Sequence, residues 1–276
     1  MRNIKRPAPF VLISSNHGTM IINRNDYHLT GKNSGFGLSF SIMQESSCNQ
    51  PEVDLALELL SLRRHYFGDG VIAIDCGANL GTCTIEWARL MHTWGNVYSF
   101  EAQEKIFYAL AGNIIINNCL NVTARLAAVG SSIGEIEIPT PNYLIPSSFG
   151  SLELKRRTNT EFIGQNIDYA NHLTKVPQIT LDSLSLKRID FIKIDVEGME
   201  EEVLTGSSKS IKQHKPILFI EIIKSNKDNL HKFVKDNGYT YFDIGMNMLA
   251  IHNNDPCLKN LTLNDNIISL NKPKES

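Results

Sequence analysis

The sequence predicts an α/β domain: a mostly parallel, seven-stranded sheet with helices on both faces, preceded by an N-terminal extension. Three observations predict it. From Val71 onward, short and almost wholly apolar segments alternate with helical stretches, as in a sheet buried on both sides. The first such segment runs into an acidic residue and a glycine turn, the arrangement that ligand-binding α/β units use. The 276 residues, 42% hydrophobic and 20% charged, suffice for one substantial core of ordinary globular composition.

Each element can be justified in order. In the extension (residues 1–70), the apolar runs Phe10 to Ile13 and Met20 to Ile22 are separated by turn residues, which predicts a hairpin. Asp54 to Tyr66 reads as a helix with Arg63, Arg64 and His65 near its end, stopped by Gly68 and Gly70. The main domain (71–253) starts with the strand Val71 to Ile74. Helices follow at Leu80 to Met91 and Ile106 to Asn117, with strands at Asn96 to Phe100 and Thr123 to Val129. Phe191 to Ile194 and Ile217 to Ile222 are further strands, with helices near Glu200 to Leu204 and Lys227 to Val234. Tyr239 to Ile244 and Met248 to Ile251 end the series as an antiparallel hairpin, and residues 254–276 form a tail. Residues 139–175, rich in Ser, Asn, Thr, Gly and Pro, interrupt the alternation and are read as a substrate lid.

Composition narrows the function. A net charge of -2 supplies no general attraction to polyanions, so nucleic acid is not an expected partner. Arg2, Lys5 and Arg6 precede an apolar run too short for a signal-peptide core, and no run is long enough for membrane insertion. The five cysteines form no C-x-x-C pair, which fits reduced thiols and a cytoplasmic location. The expected partner is a small-molecule or glycan acceptor, and self-association is left open.

The strongest local pattern is Val71-Ile-Ala-Ile-Asp75-Cys76-Gly77-Ala78-Asn79-Leu-Gly81-Thr82. Its glycines let a ligand approach the backbone where the next helix presents free N–H groups. Their G-x-x-x-G spacing differs from the G-x-G-x-x-G of dinucleotide sites. Asp75 suits a ligand ammonium rather than a phosphate. A second strand ends in Glu101-Ala102 about 20 residues beyond Gly81, the place of a ribose-binding acid. Taken together these point to an adenosine-containing ligand. The later block Lys193-Ile-Asp195-Val-Glu197-Gly198-Met-Glu200 and the strand-end Glu221 bring further carboxylates toward the same edge.

With Thr180-Leu-Asp182-Ser183-Leu184, these motifs occur in an order that resembles the FkbM family, within the Rossmann-like class I methyltransferase fold, over about Gly18 to Ile251. The resemblance implies S-adenosylmethionine as cofactor, S-adenosylhomocysteine as product, and O-methylation of a sugar, glycan or natural product. Residues Asp75, Cys76, Gly77, Ala78, Asn79, Gly81 and Thr82 would hold the methionine end, Glu101 and Ala102 the ribose, and Ala127, Ala128 and Val129 the adenine. Asp195 would position cofactor or substrate, Glu197 would act as general base, and Glu221 would join them. A divalent cation, if used, would lie on Asp195, Glu197 and Glu221. Glu200 reads as structural, and His17, His65 and His172 are alternative bases. Ser147 to Ser151 would contact the acceptor. Two other readings stay open: an NAD-dependent oxidoreductase, and a catalytically silent protein that binds an adenosyl ligand.

Overall fold

The computed structural model describes residues 7–31, 34–264 and 267–271. Arg2, Lys5, Arg6 and the last five residues of the expected tail lie outside them. The chain opens with strands β1 (Phe10–Ser15) and β2 (Gly18–Asn23), then β3 (His28–Leu29), β4 (Gly35–Phe36) and helices α1 (Leu38–Glu45) and α2 (Gln50–Phe67). The central run is β5 (Val71–Cys76), α3 (Thr82–Leu90), β6 (Gly95–Glu101), α4 (Glu104–Ile116), β7 (Val122–Leu126), β8 (Ala128–Val129), β9 (Gly134–Pro139) and β10 (Leu173–Ile179). Next come β11 (Phe191–Ile194), α5 (Glu200–Gly206), α6 (Ser208–His214), β12 (Ile217–Glu221) and α7 (Lys227–Asp236). Strands β13 (Tyr239–Ile244), β14 (Asn247–His252), β15 (Leu261–Asn264) and β16 (Ile267–Leu270) finish it.

The seven-stranded sheet has the order β13-β14-β12-β11-β5-β6-β7. Strands β7, β6, β5, β11 and β12 are parallel, and β14 is antiparallel to both of its neighbours. This is the Rossmann-like arrangement the alternation predicts. Successive side chains of a strand point to opposite faces, and both faces here are apolar. Ala73, Phe191, Phe219 and Leu249 pack toward α2 and α3. Ile74, Ile192, Ile220 and Met248 pack with Val203, Leu204, Leu230 and Val234 of α5 and α7.

Residues before Val71 share this core. Met20 and Ile22 are fully buried in the cluster that holds Leu110 and Trp87. The Asn113 side chain joins β2 to α4, accepting from the Ile21 N–H at 2.5 Å and donating to its carbonyl at 3.1 Å. The Arg63 guanidinium of α2 bonds Asp190, before β11, and Asp255, after β14, with side chains almost wholly buried.

Two expectations need correction. Thr123 to Val129 is two strands: the Ala127 N–H to Glu101 carbonyl bond ends the β6–β7 ladder, and Ala128 and Val129 leave it to pair with β10. Strand β8 then pairs with β10 in a separate sheet of order β8-β10-β9. The expected lid begins and ends inside that sheet, since β9 pairs with β10 from Gly134↔Gln178 to Pro139↔Leu173. Ile136 and Ile138 alternate with Glu135 and Glu137, a half-buried strand signal that the sequence reading passed over. Helix α1 was also not anticipated. No helix among the described residues is long and apolar enough to cross a membrane.

Candidate active site

After β5 the chain builds β6 on one side of it and later returns to place β11 on the other, which creates a topological switch point at the carboxyl ends of the strands. A cavity of about 530 Å³ opens there. Of the expected site residues, Asp75, Gly77, Ala78, Asn79, Thr82, Glu101, Ala102, Ala127, Ala128, Asp195, Glu197 and Glu221 line it. Cys76 and Gly81 do not. Cys76 is fully buried in the core cluster that packs with α5 and α7, and Gly81 caps the start of α3.

The glycine turn is dictated by close approach. Gly77 has φ +79, and a Cβ there would fall 1.7 Å from the Asp195 carbonyl oxygen. The β5 turn and the β11 turn therefore touch backbone to backbone, which only glycine permits. The N–H groups of Gly77 and Ala78 bond the Phe100 carbonyl, and the Asn79 N–H bonds Glu101 Oε2 at 2.9 Å. Asn79 and Glu197, both without glycine's freedom, adopt φ of 50 and 54. Left-handed backbone of this kind gathers at ligand sites.

The polar floor is densely charged. In the parallel register Lys193 faces Asp75 across β5 and β11. Its ammonium lies 2.8 Å from Asp195 Oδ2 and 3.9 Å from Asp75 Oδ1. Burial works against the Lys193 charge, but Asp195 and Asp75 outweigh it and hold its pKa well above the ordinary lysine value. Asp75 Oδ2 accepts from Thr84 Oγ1 at 2.6 Å, whereas the buried Oδ1 has no hydrogen-bond partner. Burial raises the Asp75 pKa, with Lys193 opposing. Glu101 accepts one backbone N–H on each oxygen, from Asn79 and from Gln103. Burial pushes its pKa up to about 7 against those hydrogen bonds.

Asp195, Glu197 and Glu221 each offer an oxygen within 4.8 Å of the others. Burial, then the charge of Asp195, raises Glu197 well above the usual carboxylate range, while Lys224 opposes the shift. Burial and the neighbouring Asp195 and Glu200 push Glu221 up to about 8, and its buried Oε2 has no partner. Glu200 is structural: its Oε1 accepts the N–H groups of Val196 and Gly198, each at 3.1 Å, and Ser225 donates to its other oxygen.

Sequence reasoning missed Lys224. Its ammonium contacts Glu197, lies 3.0 Å from Glu161 Oε2 and donates to the Ser151 carbonyl at 2.9 Å. It so joins the β12 end, the β11 turn and the 139–175 segment, and no sequence spacing reports such a hub. The reading also missed the wall formed by Phe36, Gly37, Leu38, Ser41, Cys48 and Asn49, and Met246 of the β13–β14 turn. From the 139–175 segment Ser148, Gly150, Ser151, Leu152, Leu154 and Glu161 line the cavity. Ser147 and Phe149 do not line it; Phe149 is buried, with its N–H on Asp26 and its carbonyl on Gln103. His65 and His172 lie off the cavity wall, as does His17, which is buried against Glu86 and the Cys48 N–H.

Comparisons with known proteins identify the family. The family description "Methyltransferase FkbM domain" matches residues 75–241. The methyltransferase sdnD of Sordaria araneosa is 26% identical over 153 residues, 48% of this chain and 59% of that protein. Methyltransferase 1 of Beauveria bassiana is 24% identical over 151 residues, 51% of this chain and 59% of that protein. The chain thus spans about 59% of the length of these curated relatives. A crystal structure of an FkbM methyltransferase from Methylobacillus flagellatus KT is 16% identical, with a TM-score of 0.46, covering 69% of this chain and 48% of that one. The FkbM match takes in more than half of the chain and runs from Asp75 past Glu221, so the chain belongs to the FkbM-domain methyltransferase family.

Proposed function

We propose that the chain transfers a methyl group from S-adenosylmethionine to a hydroxyl oxygen of a sugar, glycan or natural product, leaving S-adenosylhomocysteine. One observation carries this reading: a single cavity at the switch point is shared by Asp75, by Glu101 and by the trio Asp195, Glu197 and Glu221. The residues fit the cofactor. Asp75 Oδ1 is a buried acceptor with no hydrogen-bond partner, its nearest cation the Lys193 ammonium at 3.9 Å, and it can take an ammonium of the cofactor. Each Glu101 oxygen has taken only one backbone N–H and can accept a ribose hydroxyl. Ala102, Ala127 and Ala128 give a small-side-chain wall on which a flat base can lie.

Bound here, the cofactor supplies a methyl group already activated on a sulfonium. The protein's part is then to orient the acceptor and take its proton. Glu197 is the base in this reading: burial raises its basicity well above that of an ordinary carboxylate, and Lys224 fixes its position. Asp195, fixed by Lys193, places the substrate, and alignment of the two reactants accounts for much of the rate. The 139–175 segment acts as the lid, held to Lys224 through Ser151 and Glu161.

A cation route is the second reading, favoured by the 4.8 Å convergence of the acidic trio. Two of its members already face ammonium groups, Asp195 with Lys193 and Glu197 with Lys224. That countercharge favours the base route. Calorimetry with S-adenosylmethionine, S-adenosylhomocysteine and NAD tests the cofactor, with binding of the first two and none of NAD expected. With a turned-over hydroxyl acceptor, Glu197→Gln is expected to lower kcat about 100-fold or more with cofactor affinity kept. Full turnover by a folded Glu197→Gln sinks the base assignment, and loss of activity in EDTA restored by magnesium supports the cation route.

A further inference from the structure

Four larger apolar side chains share the wall of the cavity with the acidic trio. Phe36 and Leu38 line it from the N-terminal segment, Ile223 from the turn after β12, and Met246 from the β13–β14 turn. The Ile222 N–H bonds the Met246 carbonyl at 2.9 Å, which joins those two turns. Ile223 and Met246 are each 54% exposed. Phe162 of the 139–175 segment, 56% exposed, packs near Phe36 through His28, whose ring lies 5.4 Å from Phe162 and 5.1 Å from Phe36. A single exposed apolar side chain is ordinary. Two on joined turns, sharing one cavity wall with the half-buried Phe36 and Leu38, mark a surface that a ligand covers. The charged groups of the cavity, Glu161, Glu197, Glu221 and Lys224, line the same space.

We propose that the acceptor is an amphipath, its hydroxyl-bearing end at Glu197 and an apolar body lying on Phe36, Leu38, Ile223 and Met246. A free oligosaccharide, polar along its whole length, would leave these side chains against hydroxyls. The proposal rests on the hydroxyl-methylation reading and narrows its acceptor from any sugar or natural product to one that carries a hydrocarbon portion.

The test needs no turnover. S-adenosylhomocysteine binding to the full chain is measured first by calorimetry, and its failure would count against the cofactor reading alone. Binding of 1-butanol, 1-hexanol, 1-octanol and maltotetraose is then measured on the chain with and without S-adenosylhomocysteine. Affinity is expected to rise with alkyl length, up to about fourfold per methylene at full burial, with maltotetraose weaker than 1-octanol. The double variant Ile223→Ser with Met246→Ser changes exposed side chains and should melt like the parent. It is expected to flatten the alkyl dependence and leave S-adenosylhomocysteine affinity unchanged. A flat alkanol series, maltotetraose binding tighter than 1-octanol, or an alkyl dependence that survives the double variant would overturn the proposal. Should the double variant misfold, each single variant gives the same comparison.

Discussion

Glu101 shows how one side chain can serve structure and ligand at once. Its carboxylate organises the cofactor turn by accepting the N–H groups of Asn79 and Gln103. Burial nevertheless holds its pKa at about 7. Below that pH the carboxyl is neutral, and one oxygen becomes a donor where ribose hydroxyls need an acceptor. The affinity for S-adenosylhomocysteine is therefore expected to rise as pH passes upward through about 7 and to level off above it. Calorimetry across pH 6–8.5 (roughly one unit or more on either side) checks this. The Glu101→Gln variant should bind more weakly and lose that dependence. An unchanged dependence in the variant would remove Glu101 as its source.

At the scale of elements, the 139–175 segment, which lines part of the cavity, is held from several directions. Asp26, buried between α1 and the segment, accepts the N–H groups of Ser39 and Phe149. Gln103 donates to the Phe149 carbonyl at 2.8 Å. Lys224 holds Ser151 and Glu161 from the sheet side. The first two contacts anchor the base of the segment, and Lys224 grips its cavity-facing part. Lys224→Met is expected to speed amide exchange in residues 150–165 at least severalfold while the strand amides of β5 and β11 keep their protection. Glu161→Gln should do the same more weakly, and Lys224→Arg should restore protection. Unaltered exchange in Lys224→Met would mean that the segment is held by its base alone.

At the scale of the molecule, Arg63 joins three distant parts of the chain. It is buried in α2 and pairs with Asp190 and Asp255, which precede β11 and follow β14. Arg188 also contacts Asp190, so loss of Arg63 leaves Asp255 as the uncompensated charge. Arg63→Met should cost about 3–5 kcal/mol, the usual penalty for stranding one half of a buried pair. Urea unfolding of the variant measures it. A change below about 1 kcal/mol, the range of surface pairs, would show that the network contributes little.

Much of this was legible in the sequence. The mostly apolar runs at 71–74, 191–194 and 217–222, interrupted only by Lys193 and Glu221, were readable as strands because both faces of the sheet are buried. The Asp75–Gly81 turn, Glu101 and the Asp195–Glu200 block were readable because a ligand edge of a parallel sheet lies at strand ends, and strand ends are local features. Strand β8 was misread as a continuation of β7 because the small apolar residues Ala127 to Val129 suit either sheet. What only the tertiary structure decided is who else shares the cavity. Phe36 to Asn49, Lys224, Met246 and the inner part of the 139–175 segment reach it from far along the chain. Their meeting depends on β11 docking beside β5, on β2 packing against α4, and on α2 packing against β5. Such non-local adjacency leaves no periodicity and no spacing for a linear reading to detect.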